Sequence, residues 1–321
     1  MATIVYFITS HTNPDQIVRL VNILSEASRD CAIVIRHDYL RTNLDVKKFS
    51  QYDNVYILRD TLSLRWGGYS LVATTLMGLD WIDKNLNFKW ICLLSGQDYP
   101  IRPLRDFERF LDETDYDGFL SGVSLDSCLP CGPNECLIED NPGKVCEDCS
   151  NRYYYQYYSI PRLPYMRIWL DSFINIAKKK FSVRKLVVPP KVYIGVKWLK
   201  SPFSKDLQCY KGSQWFTINK RCVQFILEFI NKNKSYVKYY KHTLIPDESF
   251  FHTMLFNNKQ LNIMNDNKRY ISWSSPSSPH PNVLAMKDFQ NIIDSKQFFA
   301  RKFDITIDSR ILDVIDRDLL I

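Results

Sequence analysis

The chain has 321 residues, 45% of them hydrophobic, enough apolar material for one large α/β domain or two modest ones. Its 42 basic and 35 acidic side chains leave a net charge of +7, a mild bias that suits an anionic substrate, a phosphate-bearing cofactor or a membrane surface and does not single out nucleic acid. No apolar run approaches the roughly 18 residues of a membrane span, and "MATIVYFITSH" lacks the basic n-region and long h-region of a signal peptide, so a cytoplasmic protein is expected.

In chain order, "TIVYFITSH" (3–11) predicts a buried strand and "PDQIVRLVNILSEAS" (14–28) a helix with apolar residues at helical spacing. "CAIVIRHD" (31–38) and "NVYILRD" (54–60) predict two more strands, and "YSLVATTLMGLDWIDKN" (69–85) a second helix. "FKWICLLSGQDYPI" (88–101) reads as a fourth strand running into a polar loop, and "DGFLSG" (117–122) as another strand. Strands alternating with helices argue for an α/β domain with a mostly parallel sheet, where ligands bind beyond the carboxyl ends of the strands. Asp38, Trp66 and "SGQDYP" all follow strands.

Residues 125–150 form a cysteine-rich insertion within a domain spanning 1–321. Cys128, Cys131, Cys146 and Cys149 make two C-x2-C pairs separated by fourteen residues, the spacing of a four-thiolate structural zinc knuckle. Disulfides in an oxidising compartment and free thiols are the other readings, and Cys136 is left over. The tyrosine cluster "NRYYYQYY" (151–158) suits either a substrate rim or a packed strand. The basic run "KKKFSVRK" (178–185) reads as a solvated face or as a patch for peripheral membrane association.

The stretch "IPDESFFHTML" (245–255) puts Asp247 and Glu248 against an aromatic, apolar run. Pro246 and the two acids suit the first turn of a helix. A carboxylate beside Phe250 and Phe251 could also have its proton affinity raised by desolvation and act as a general base. The chain has no G-x-G-x-x-G, no G-x4-G-K-[ST] and no H-E-x-x-H, so redox-cofactor, P-loop and catalytic-metal chemistry lack support.

Several stretches occur in a telling order: "RWGGYSLV" (65–72), "LLSGQDYPIR" (93–102), "KGSQWFTINKRCVQFI" (211–226), "IPDESFFHTML" and "FFARKFD" (298–304). Together they resemble the core-2/I-branching β-1,6-N-acetylglucosaminyltransferases and peptide O-xylosyltransferases, and the xylosyltransferase branch most. The resemblance implies a GT-A fold and an inverting, metal-independent transfer from a UDP-sugar to a glycan hydroxyl. It implies Glu248 as the base, Arg301 and Lys302 against the UDP diphosphate, and Asp38 against the uracil. Trp66 and Asp98 match positions lining the donor pocket. Gln214 stands where the xylosyltransferases carry Asp, near the sugar or acceptor. The triplets "DYD" (115–117) and "DRD" (316–318) do not sit where a metal-binding Asp-x-Asp would.

The expected function is therefore a UDP-sugar glycosyltransferase with no catalytic cofactor. GlcNAc is favoured as the transferred sugar and xylose comes next. The setting expected is bacterial surface polysaccharide synthesis, in the cytoplasm or peripheral to the inner membrane. A binding protein that kept the fold and lost catalysis is the alternative, and a zinc-ribbon nucleic-acid module a third reading resting on the cysteines and charge alone.

Overall fold

The expected alternation of strands and helices is present in the computed structural model, which describes residues 2–28, 30–60, 62–125, 151–160, 183–188, 191–197, 201–275, 278 and 280–320. Strand β1 (Ala2–Ser10) leads into α1 (Pro14–Ala27), β2 (Cys31–His37), β3 (Val55–Leu58), α2 (Ser70–Asn85) and β4 (Phe88–Ser95). β1 lies between β2 and β4, and β3 pairs with β2, all parallel. Later come β6 (Gly118–Ser124), β10 (Tyr210–Asn219) and β11 (Ile263–Asn265), and the large sheet runs β11-β6-β10-β4-β1-β2-β3. Only β10 runs against its neighbours.

The burial of β1 explains the architecture. Ile4, Val5, Tyr6, Phe7 and Ile8 are all 0% exposed, the unbroken apolar run of a parallel strand covered on both faces. Alternation then sorts them. Val5 and Phe7 pack with Val72, Leu79 and Ile82 of α2, whereas Ile4, Tyr6 and Ile8 pack with Ile17, Leu20 and Leu24 of α1. The sheet thus separates two cores, with helices on both sides. Pro14 starts α1 where a missing N–H costs nothing, and Asp15 lies in the first turn.

The run 88–101 departs from expectation: it is two strands, not one. β4 ends at Ser95, and Asp98–Pro100 forms β5 in a separate small sheet. There β5 pairs with β13 (Phe299–Arg301), and β13 with β12 (Arg269–Ile271). A third sheet joins β7 (Gln156–Ile160), β8 (Val183–Val188) and β9 (Lys191–Val196). Tyr153, Tyr155 and Tyr157 of the tyrosine cluster are buried, and Tyr158 is exposed. Further helices are α3 (Leu104–Glu113), α4 (Lys220–Lys232), α5 (Lys234–Tyr240), α6 (Phe250–Phe256), α7 (Phe289–Asp294) and α8 (Arg310–Ile315).

Cys128, Cys131, Cys146 and Cys149 fall outside the described residues, as does the basic run before Val183. Among the described residues no helix is long and apolar enough to cross a membrane.

Candidate active site

At the carboxyl ends of β1, β2, β3 and β4 the structure opens a cavity of about 440 Å³. Its lining includes Ser10 and His11 after β1, Arg41 after β2, Trp66 after β3, and Ser95 and Gln97 after β4. Ligand sites of open parallel sheets lie at this edge. The remaining lining comes from more distant segments: Arg152, Ser213–Trp215, Asp247, Glu248, Trp273, His280, Arg301 and Lys302. Trp66, Gln214, Glu248, Arg301 and Lys302 from the sequence analysis therefore share one cavity.

Gln214 reaches it through a bulge. The pairing of β10 with β6 shifts register between Gly212 and Phe216, which turns Ser213, Gln214 and Trp215 toward the cavity. Gly212 is required at the start of that bulge. A Cβ there would lie 2.3 Å from the Ser121 carbonyl oxygen and 2.3 Å from the His252 ring. His252, the histidine of the "ESFFHT" stretch, thus packs beneath the bulge. Burial pushes its pKa down to about 3, which keeps it neutral.

One wall of the cavity is cationic. Arg301 ends β13, paired across the small sheet with Asp98 in β5, and its Nε lies 3.3 Å from Asp98 Oδ1. Asp98 is fully buried, and its Oδ2 accepts from the Ser95 amide at 2.6 Å. It does not line the cavity; it caps the loop and supplies the countercharge to Arg301. The Arg301 guanidinium lies 4.0 Å over the Trp215 ring, and Arg269 approaches the same ring at 5.3 Å. Burial pushes the Arg301 pKa down to about 10, Asp98 opposes that and Arg269 adds to it, so Arg301 stays a cation at neutral pH. The wall is docked by Gln16, itself fully buried. Its Nε2 donates to the carbonyls of Gly96 and Phe303, and its Oε1 accepts from the Ile305 amide.

Another part of the lining carries the carboxylates. Residues Pro246–Glu248 form a separate 3-10 turn ahead of α6, so the helix expected to begin at Pro246 begins at Phe250. Ile245 enters the turn at φ 47°, a left-handed conformation that costs a β-branched residue roughly 1–2 kcal/mol. Its amide donates to the Gly67 carbonyl at 2.9 Å, which ties the turn to the W-G-G segment. Glu248 is partly exposed, and its Oε2 lies 3.2 Å from Arg152 Nη1. Asp247 is nearly buried, and desolvation followed by the charge of Glu248 pushes its pKa up to about 7.

Phe250 and Phe251 are not part of the cavity lining. Phe250 packs on Tyr69, Tyr236 and Tyr240, and Phe251 on Phe216, all facing the core. Burial perturbs the Asp247 carboxyl.

Asp38 sits behind the cavity, not in its lining. It is 2% exposed, and its oxygens accept from the amides of Leu40 at 3.2 Å and Leu64 at 3.0 Å. It thereby ties the loop after β2 to the segment before Trp66. Both Asp-x-Asp triplets lie elsewhere. Asp117 accepts from Asn219, Arg221 and the Asn262 amide, and Asp316 pairs with Arg19. Among the described residues no group of three or more His, Cys, Asp or Glu is arranged to hold a metal ion.

Sequence reasoning did not assign Trp215, Arg152, Arg41 or Arg269. Trp215 stood inside "GSQWF" and could have been found there; the arginines carry no local signal, because only the fold brings Arg41 and Arg152 to the cavity and Arg269 onto the Trp215 ring.

Several characterised proteins align with this chain. β-Glucuronosyltransferase GlcAT14B of Arabidopsis thaliana is 30% identical over 162 residues, 47% of this chain and 37% of that protein. GlcAT14A of the same plant is 23% identical over 295 residues, 88% of this chain and 54% of its own length. Xylosyltransferase 1 of Rattus norvegicus is 24% identical over 307 residues, 88% of this chain and 31% of its own. The chain thus spans about a third to a half of the length of the relatives it matches. The sequence model of the family described as "Branch: Core-2/I-Branching enzyme" matches residues 6–122 and 165–293, and the chain belongs to that family.

Proposed function

We propose that this chain transfers a sugar from a UDP-sugar to a hydroxyl of a glycan, with inversion at the anomeric carbon. The observation that carries the reading is one cavity with Arg301 and Lys302 on one wall and Glu248 on another. An inverting displacement needs both. The acceptor oxygen attacks the anomeric carbon while its proton passes to Glu248. The bond to UDP breaks on the opposite face, and its electron pair leaves with the diphosphate. Arg301 and Lys302 meet that growing negative charge, and the guanidinium fork suits two phosphate oxygens. The proposal gives this task to side chains and not to a divalent ion, because neither triplet lines the cavity and Asp117 and Asp316 are engaged elsewhere. Trp66, 64% exposed at the mouth, offers a flat face to a sugar ring.

GlcNAc and xylose are the first donors to test, and the names of the relatives add glucuronic acid. Purified protein incubated with UDP-GlcNAc, UDP-xylose and UDP-glucuronic acid in turn should release UDP with at least one of them. With an acceptor present, proton NMR should show a product of inverted anomeric configuration. Absence of UDP binding together with absence of UDP release from every donor would reject the reading, as would a retained configuration.

A further inference from the structure

Asp247 is a carboxyl that the mechanism above leaves unused. It lines the cavity beside Glu248 yet is only 6% exposed. Its Oδ1 is sealed from solvent and has no hydrogen-bond partner. Arg152 lies 3.2 Å from Glu248 and is not bonded to Asp247 Oδ1. A buried, incompletely bonded polar side chain costs stability, and natural folds keep one mainly where a ligand uses it.

We propose that Asp247 recognises a hydroxyl of the sugar being transferred, while Glu248 beside it addresses the acceptor. This rests on the donor reading given above. The two side chains are adjacent on one tight turn but differ in depth. Glu248 keeps 30% of its side chain exposed, at the side from which an acceptor glycan arrives. Asp247 sits deeper, where the enclosed donor sugar must lie if its anomeric carbon is to come between Glu248 and the cations. A sugar hydroxyl both donates and accepts, and a carboxylic acid offers one O–H and one acceptor oxygen to match it. Burial and the Glu248 charge both disfavour ionisation, so a substantial share of the acid form persists near pH 7. The charges acting on Asp247 are Glu248 on its own turn and, more weakly, Arg152. Lys211 of β10, His252 of α6 and Tyr69 at the start of α2 belong to elements packed on the turn and are not among the groups that shift it.

The test is calorimetric and needs no turnover. UDP, UDP-GlcNAc, UDP-xylose and UDP-glucuronic acid are titrated into the wild type, Asp247→Leu and Asp247→Asn at pH 6 and pH 8. Asp247→Leu should weaken the bound UDP-sugar about tenfold, the scale of a lost hydrogen bond in a dry site. Affinity for UDP alone should change less than twofold. Asp247→Asn, whose amide copies the donor and acceptor of the acid, should hold the UDP-sugar within about threefold. Wild-type affinity for the UDP-sugar should fall from pH 6 to pH 8 relative to UDP, and the Asn variant should show no such fall. Thermal melting confirms that both variants fold. Equal weakening of UDP and UDP-sugar, or an acceptor KM that rises while donor affinity stays, overturns the inference. So does a wild type that binds UDP and none of the three sugars, although the nucleotide site would then stand. Failure to bind UDP itself would instead sink the donor reading beneath it.

Discussion

On the Arg301 wall Arg301 and its countercharge Asp98 are both seated in sheet. Arg301 and Asp98 face each other across a strand pair, Trp215 lies under the guanidinium, and Gln16 clamps the segment from behind. On the Glu248 wall the charges ride on a three-residue turn entered through a left-handed Ile245. Among the described residues its ties include the Ile245 amide on the Gly67 carbonyl, the Tyr153 hydroxyl on the Ile245 carbonyl and the ion pair of Glu248 with Arg152. The contrast fits the two tasks assigned here. A wall that stabilises departing diphosphate gains from fixed charge, because preorganised dipoles and ions need no rearrangement as the bond breaks. A base must meet acceptors arriving from solvent and is carried on a lighter mount.

The sharpest way to separate the walls is Glu248→Gln. Turnover should fall by about 10²–10⁴, the usual cost of losing a general base, with UDP affinity nearly intact in a titration. A rate equal to wild type would remove Glu248 from the mechanism. Arg301→Ala should instead strike both quantities, with turnover down by about 10² and UDP binding weakened, because the lost charge is one that the diphosphate meets. It also strips Asp98 of its countercharge, so melting should fall as well; UDP affinity that holds would place the diphosphate elsewhere.

Asp247→Asn probes the carboxylate wall through stability. The Asp247 carboxyl titrates at an ordinary 3.8 when unfolded and at about 7 in the fold. Folding therefore favours its protonated form. That contribution is present below pH 3.8 and is lost as pH rises to about 7. Asparagine does not titrate, so the variant should melt above wild type at pH 7.5, by about 2 °C or more, with the gap closing toward pH 4. A gap that widens on acidification would contradict the assignment. The smallest effect is expected from Gly67→Ala. Gly67 sits at φ 67° with room for a methyl group, its nearest new neighbour being Ile245 at 3.5 Å. The cost should be backbone strain alone, about 1 kcal/mol, read as a melting shift of a few degrees. A larger loss of activity than of stability would show that the Gly67–Ile245 bond sets the position of the base.

Much of the large sheet was legible because β1 to β4 and their helices obey local rules. Apolar runs of strand length alternate with helical spacing, and each element carries its own signal. The small sheet was not legible. β5, β12 and β13 are three residues each, too short for any periodicity, and they pair across a sequence span from Asp98 to Arg301. That is why "LLSGQDYPI" read as one strand and a loop. The site divides in the same way. Glu248, Arg301 and Lys302 stood in recognisable motifs, whereas Arg152 and the stacking of Arg269 and Arg301 on one Trp215 ring depend on segments that only the fold brings together. Phe250 and Phe251 neighbour Glu248 in sequence but are absent from the cavity lining. Adjacency in sequence put aromatics beside Glu248, but the break between the 3-10 turn and α6 points them into the core.

The clamp by Gln16 has a consequence for synthesis. Every other segment of the cavity lining precedes residue 282, whereas Arg301 and Lys302 follow it and dock against the first helix. A growing chain emerges with β1, α1 and the parallel strands able to pair long before their cationic partner exists. The cationic wall is therefore made after the rest of the cavity lining: a chain stalled before residue 299 would carry the carboxylate wall and Trp66 and leave Gln16 without its Phe303 and Ile305 partners. Such a chain could fold most of its large sheet and still have nothing to hold a diphosphate.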